Sequence, residues 1–262
     1  MLVEIKVVLR KFKRKVLEQK IRVGAVSYLN TKPLVYGFEK GGMKEQIELI
    51  SDYPARIAAM LLNDEIDIGL IPVAVIPQMK EHFIISDYCI GASQAVASVC
   101  LFSDVPLTEI KVILVDYQSR TSAALLKILL KRYWKIEPQL IDTSNGYQQN
   151  IKGTTAGLVI GDRALLQRSQ STYIFDLAEA WQQMTGLPFV FAAWIANKKL
   201  PADFVTAFNQ TTSLGFDHIS EIVKSVNFPQ YDMQYYYTNN IDYRLDEKKK
   251  TALKLFLELA AV

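Results

Sequence analysis

A polar turn at 116–122 (DYQSRTS) lies between an apolar strand and an amphipathic helix. Free backbone N–H groups and hydroxyls at a helix N-terminus suit a carboxylate or phosphate, because the helix dipole and the unpaired donors favour negative charge. Serine and threonine also cap helices where no ligand binds. Two interpretations are open for this turn, an anion site or an ordinary cap, and its candidate residues are Ser119, Arg120, Thr121 and Ser122.

A second polar turn, SYLNTKPL at 27–34, also joins a strand end to a helix. The Asn30 amide both donates and accepts hydrogen bonds, so it suits a hydroxyl or a carboxylate inside a cleft. The alternative is again a capping turn. Ser27, at the start of the turn, is a further candidate for binding.

Two more strand ends carry candidate groups. Gly161 and Asp162 follow the apolar run AGLVI, where an acid is either functional or a simple turn residue. Ser98 ends the segment GASQAVAS at 91–98, just before another apolar run, and it faces either a cleft or a paired strand.

Several common catalytic motifs are missing from the sequence. It has no GxSxG, Walker, GxGxxG or HExxH pattern, and His82 and His218 are isolated. We therefore expect neither a zinc site nor a histidine-based triad. Cys89 and Cys100 both lie in apolar contexts, which favours small core residues over a disulfide.

The elements that position these groups alternate. Strands are predicted at 21–26, 47–51 and 66–73, with helices beginning at Pro33 and Pro54 between them. This order indicates a mostly parallel sheet with crossover helices. A second unit of the same kind begins near residue 105, and its elements are strands at 111–116, 140–142 and 157–160 and a helix at 120–134.

The apolar run FVFAAWIA at 189–196 returns the chain to the first unit, and helices near 201–216, 217–226 and 246–260 follow. The sequence thus predicts an α/β protein of two lobes with a ligand cleft between them, as in periplasmic-binding-protein folds. The predicted division is a basic arm at 1–20, a discontinuous first lobe at 21–102 and 193–262, and a second lobe at 103–192.

The formal net charge of +3 is not spread over the chain. Residues 1–20 carry +5, so the other 242 residues carry −2, which argues against a nucleic-acid groove. The stretch at 180–197 is too polar for a membrane span, and we expect a soluble, cytoplasmic protein. The arm suits a targeting helix, a membrane-surface anchor or, as we favour, a dispensable extension.

Six blocks of the sequence together resemble the chorismate dehydratase family of the futalosine route to menaquinone. They occur in the family's order from residue 21 to about 260. The blocks are SYLNTKPL (27–34), LLNDEIDIGLIPV (61–73), SVCLFS (98–103), SRTSAALLKILL (119–130), LVIGDRAL (158–165) and DLAEAWQQMTGLPFVFAAW (176–194).

The resemblance implies a type II periplasmic-binding-protein-like fold used as an enzyme, a hydro-lyase that needs no cofactor or metal. The implied substrate is chorismate, which loses water to give 3-[(1-carboxyvinyl)oxy]benzoate. It also implies that Asn30 and Ser98 are catalytic and that the turn at 119–122 holds a carboxylate. The proton acceptor is open, with the substrate's own enolpyruvyl carboxylate as one candidate. The segment at 91–98 departs from the family's pattern, which bears more glycine and an arginine.

Two alternatives belong to other functional classes. The first is a sister enzyme of the same pathway that forms dihydroxynaphthoate; enzymes of that kind look as if they carry a catalytic histidine after the strand that matches 158–160, where this chain has Gly161. A non-enzymatic protein that binds a small anion would use the same fold. The sequence carries no indication of oligomeric state.

Overall fold

The computed structural model describes residues 20–261. Apart from Lys20, the predicted basic arm at 1–20 lies outside the described residues. The strands are β1 (Ile21–Val26), β2 (Ile47–Asp52), β3 (Ile68–Pro72), β4 (Phe83–Ala92), β5 (Val99–Ser103), β6 (Val112–Val115), β7 (Gln139–Asp142), β8 (Thr155–Ile160), β9 (Tyr173–Asp176), β10 (Phe189–Ala196) and β11 (Asp242–Arg244). The helices are α1 (Lys32–Glu39), α2 (Pro54–Leu62), α3 (Arg120–Leu129), α4 (Asp162–Gln167), α5 (Leu177–Thr185), α6 (Ala202–Asp217), α7 (Ile219–Ser225), α8 (Met233–Tyr235) and α9 (Glu247–Ala260).

The first sheet has six strands in the order β11-β4-β10-β3-β1-β2. Strand β1 is parallel to β2 and β3, as the alternation of strands and helices predicts. Strand β10 runs antiparallel to β3 and β4. Every residue of β3 and β10 is buried, which explains why both read as continuous apolar runs.

The second sheet has five strands in the order β7-β6-β8-β5-β9. Strand β6 is parallel to β7 and β8, whereas β5 pairs antiparallel with β8 and β9. The division into lobes at 102/103 and 192/193 stays a prediction. Strand membership favours earlier crossings, because β5 belongs to the second sheet and β10 joins the first sheet from Phe189.

Some elements differ from the sequence expectation. The helix predicted at 120–134 is α-helical only to Leu129 and continues as a π-helical turn over Leu130–Trp134. The edge strands β9 and β11 and the whole of β4 have no counterpart in the sequence prediction. Short edge strands are the hardest elements to recognise, because neighbouring strands rather than their own residues define them.

Helix α1, which follows the Asn30 turn, packs closely against α6. A Cβ placed on Gly215 would lie 1.8 Å from the carbonyl oxygen of Pro33, and one on Gly37 would lie 2.0 Å from that of Thr211. Only glycine permits backbones to approach this closely. The first turn of α1, and with it the Asn30 turn, is thereby fixed against α6.

Cys89 and Cys100 are buried free thiols in the core, as predicted. Within residues 20–261, no helix is long and apolar enough to cross a membrane. The same part of the chain contains no group of three or more His, Cys, Asp or Glu side chains arranged to hold a metal ion.

Candidate active site

A narrow pocket of about 60 Å³ lies where the turns after β1, β6 and β8 meet the start of β5. The pocket is much smaller than the several hundred Å³ typical of sites that enclose a small ligand. Its apolar lining includes Val26, Ile90 and Phe191. Six residues singled out from the sequence line this pocket together: Asn30, Ser98, Ser119, Thr121, Ser122 and Gly161.

The first sheet contributes Asn30 to the pocket. The residue lies in a 3-10 turn before α1 and is 8% exposed. The Tyr243 hydroxyl donates to the Asn30 carbonyl oxygen at 2.9 Å, and the Thr31 hydroxyl donates to the Asn30 side-chain oxygen at 3.3 Å. These bonds hold the amide at the pocket wall.

Ser98 lies opposite and is fully buried. Its Oγ accepts a hydrogen bond of 2.7 Å from the Tyr236 hydroxyl, and its carbonyl oxygen accepts one of 2.8 Å from the Gly161 N–H. Burial raises the pKa of Tyr236 well above its ordinary value, which keeps the phenol protonated as a donor. The Ser98 hydroxyl donates its own proton to the Val96 carbonyl oxygen at 3.5 Å, a long bond that a ligand acceptor would have to replace.

The turn before α3 forms a helix cap and also lines the pocket. The Ser119 Oγ accepts a hydrogen bond of 3.1 Å from the Ser122 N–H, so the capping interpretation is correct for Ser119. The Thr121 Oγ accepts one of 3.2 Å from the Ala74 N–H, which belongs to the first half of the chain. Each hydroxyl still has its own proton to donate.

Asp116 and Arg163 fix this turn from behind. The Asp116 side chain is completely buried and accepts hydrogen bonds from Arg163 at 2.9 Å, from the Tyr147 hydroxyl at 2.8 Å and from the Gln118 N–H at 2.9 Å. Gln118 in turn accepts hydrogen bonds from Arg163 and from the Tyr28 hydroxyl, which comes from the β1 turn. Sequence reasoning did not identify this network, because its members are far apart in the chain.

Gly161 allows the β8–α4 turn to approach the pocket. Its φ of +64° and ψ of −146° belong to a region that only glycine occupies readily. A Cβ at this position would also lie 2.9 Å from the Tyr28 ring. The residue therefore provides space and backbone geometry rather than a chemical group.

Three predicted site residues lie away from the pocket. Ser27 is exposed and not part of the pocket lining. The Asp162 carboxylate accepts a hydrogen bond of 3.0 Å from the Leu29 N–H, and burial raises the pKa of Asp162. Arg120 is exposed and lines an outer groove with Lys127 and Lys131. Ser119 lines both this outer groove and the pocket.

The class of the protein follows from its solved structural neighbours. A crystal structure of an Archaeoglobus fulgidus protein has a TM-score of 0.73 at 17% identity and covers 92% of this chain and 97% of its own. A Candida albicans protein described as having the generic periplasmic-binding-protein fold has a TM-score of 0.61 at 13% identity, covering 93% and 90%. The aliphatic sulphonate binding protein of Escherichia coli has a TM-score of 0.58 at 13% identity, covering 92% and 85%. The predicted periplasmic-binding-protein fold is confirmed.

Family membership is more specific than the fold. A family model described as menaquinone biosynthesis matches residues 21–262, and the chain belongs to this family. The chain is 26% identical to the chorismate dehydratase of Thermus thermophilus over 266 residues, covering 90% of this chain and 93% of that protein. It is 27% identical to that of Campylobacter jejuni over 244 residues, covering 90% and 95%. These relatives confirm the family resemblance predicted from the six sequence blocks.

Proposed function

We propose that this protein is a chorismate dehydratase, a hydro-lyase that acts in the cytoplasm. The observation that carries the proposal is the convergence of Asn30, Ser98 and the Ser119 turn on one buried pocket. The full-length similarity to two proteins named chorismate dehydratase supplies the substrate.

The reaction removes the proton from C3 and the hydroxyl from C4 of chorismate. The C3–H electron pair forms the new ring double bond, the C4–O bond breaks, and the hydroxide leaves with a proton as water. Because the ring becomes aromatic, much of the driving force resides in the substrate. The C1 carboxylate activates the C3 proton through the ring double bond, so the enzyme has to orient the substrate and stabilise developing negative charge.

The pocket residues suit these two tasks. Asn30 and Ser98 offer an amide and a hydroxyl to the reacting ring, and the apolar wall keeps water away from it. The hydroxyls of Ser119 and Thr121 each accept one backbone hydrogen bond and donate their own proton to a substrate carboxylate. The N-terminus of α3 favours the same negative charge. The substrate's enolpyruvyl carboxylate is the proposed proton acceptor.

Substrate entry requires the lobes to separate, because a pocket of about 60 Å³ is too small for chorismate. Hydrogen bonds join the two halves across the cleft: Ala74 to Thr121, Leu29 to Asp162, and Tyr28 to Gln118. We propose that these bonds break when the lobes separate to admit the substrate. Asp162 would thus control closure rather than contact the substrate.

A small-anion binding protein is the second candidate, and the likeness to the Escherichia coli sulphonate-binding protein favours it. The dihydroxynaphthoate-forming alternative has less support, because glycine occupies position 161 and His82 and His218 lie outside the pocket lining.

Incubation of the purified protein with chorismate, followed by ultraviolet spectroscopy and product identification, separates the first two candidates. The dehydratase proposal predicts loss of the chorismate diene spectrum and formation of 3-[(1-carboxyvinyl)oxy]benzoate. Binding of chorismate without a spectral change would support the binding protein and exclude the dehydratase.

A further inference from the structure

The backbone just before Ser98 adopts an unusual conformation. Ala97 has a φ of +62°, and the Ser98 N–H donates to the Val96 carbonyl oxygen at 2.8 Å. A hydrogen bond from residue i+2 to residue i around a central residue of positive φ defines the rare, strained form of the γ-turn. Four non-glycine residues of the described chain have positive φ, and among these Ala97 is the buried one.

Strain of this kind persists only where the surroundings enforce it. Two charged side chains hold the Ala97 backbone from opposite sides. The Asp176 Oδ2 accepts a hydrogen bond of 2.7 Å from the Ala97 N–H, and the Arg168 guanidinium donates one of 3.2 Å to the Ala97 carbonyl oxygen. The backbone N–H and the carbonyl oxygen of Ala97 are thus both hydrogen-bonded to side chains more than 70 positions away in the chain.

The Asp176 carboxylate divides its two oxygens between two tasks. While Oδ2 holds Ala97, Oδ1 accepts hydrogen bonds of 3.0 Å from the Ala178 N–H and 3.2 Å from the Glu179 N–H, which cap α5. Only a carboxylate has acceptors on both oxygens. An asparagine would still cap the helix but would turn an N–H donor toward the Ala97 N–H.

We propose that Asp176 and Arg168 are positioning residues that hold the Val96–Ser98 turn in its strained form and thereby direct the Ser98 hydroxyl into the pocket, an inference that rests on the proposed function. Neither side chain lines the pocket itself. The turn aims Ser98 at the site, and Tyr236 then fixes the hydroxyl with its bond of 2.7 Å.

The test compares kcat and KM of Asp176→Asn with those of the native protein. We expect kcat to fall at least tenfold and KM to change by less than threefold, because substrate binding at the Ser119 turn is retained. Asp246→Asn is the matched control, since Asp246 also caps a helix, accepting from the Lys249 N–H at the start of α9, but lies away from the Val96–Ser98 turn. Its kcat should stay within twofold of the native value.

A glycine at position 97 shows whether Asp176→Asn lowers kcat through loss of the turn conformation or through a general loss of stability. Glycine adopts positive φ without strain, so it needs less enforcement by Asp176. The double variant Ala97→Gly/Asp176→Asn should have at least three times the kcat of Asp176→Asn, with Ala97→Gly as the baseline. Native kcat in Asp176→Asn, or no rescue in the double variant, would contradict the proposal.

Arg168→Met gives an independent test if Asp176→Asn folds poorly. It removes the donor to the Ala97 carbonyl and should lower kcat severalfold, whereas Arg168→Lys should restore part of the loss. Unchanged kcat in Arg168→Met would contradict the positioning role.

Amide hydrogen exchange keeps this inference separate from the proposed function. If the native protein converts no chorismate, the proposed function fails, but exchange at Ala97 and Ser98 still tests the turn. We expect those amides to exchange at least tenfold faster in Asp176→Asn while those of α9 do not change. Equal protection in both proteins would overturn the positioning role.

Discussion

Two serine-bearing turns reach the same pocket by different physical means. The Ser119 turn is capped by its own residues, since Ser119 accepts from the N–H three residues later, and Arg163 supports it only from behind through Asp116. The Ser98 turn is held by Asp176, Arg168 and Tyr236, which lie 71 or more positions from the residues they bind. The first turn has relaxed capping geometry and the second has a strained γ-turn.

From this difference we propose different tasks for the two turns. A cap with free hydroxyls and backbone donors binds charge, a task that tolerates small displacements. A hydroxyl aimed at a reacting carbon requires fixed geometry, and a strained turn buried under several partners supplies it. We therefore expect substitutions at the Ser119 turn to change KM and substitutions around Ser98 to change kcat.

Asn30 faces both turns, and its replacement should have the largest effect. Asn30→Ala removes the amide that we propose acts at the reacting ring, so we expect kcat to fall by about 10²–10³. Circular dichroism and the melting temperature should remain close to native. Product formation from chorismate measures the loss, with exposed Asn63→Ala as the control. Near-native turnover would remove Asn30 from the mechanism.

Ser119→Asp separates capping from anion binding. Aspartate caps a helix about as well as serine, so the melting temperature should stay within a few degrees of native. The added carboxylate would repel the substrate's carboxylate, and we expect kcat/KM to fall about 10²-fold. Ser119→Asn, a cap without charge, is the control and should lose much less. Equal kcat/KM in the two variants would show that the turn is only a cap.

Tyr236→Phe tests the Ser98 turn. Loss of the bond of 2.7 Å to Ser98 Oγ should lower kcat about tenfold and stability by about 1 kcal/mol, with little change in KM. Tyr237→Phe is a matched control, because the Tyr237 hydroxyl is buried without a hydrogen-bond partner among residues 20–261. Denaturant unfolding should find it as stable as native or more so. A change in KM alone in Tyr236→Phe would contradict the assigned task.

Arg120→Ala should have the smallest effect. The side chain is exposed in the outer groove, so it attracts the dianionic substrate only through screened charge. We expect kcat/KM to fall about twofold at low ionic strength and to match native in about 0.5 M salt, where the Debye length shortens to roughly 4 Å. A salt-independent loss would indicate direct contact with substrate.

The sequence by itself determined the features that depend on neighbouring residues. Apolar runs specified the central strands, and the Ser119 cap and the Asn30 turn followed from residues within four positions of each other. Such hydrogen bonds and burial patterns depend on local spacing, so they can be read from a linear chain.

Tertiary structure decided which of these groups face the pocket. It engaged Asp162 with Leu29, left Ser27 and Arg120 outside, and brought Tyr236 to Ser98 across 138 residues. It also placed Asp176 against Ala97, although the sequence around Asp176 indicates only a helix cap. Contacts of this kind depend on how two sheets pack together, and no local pattern encodes that packing.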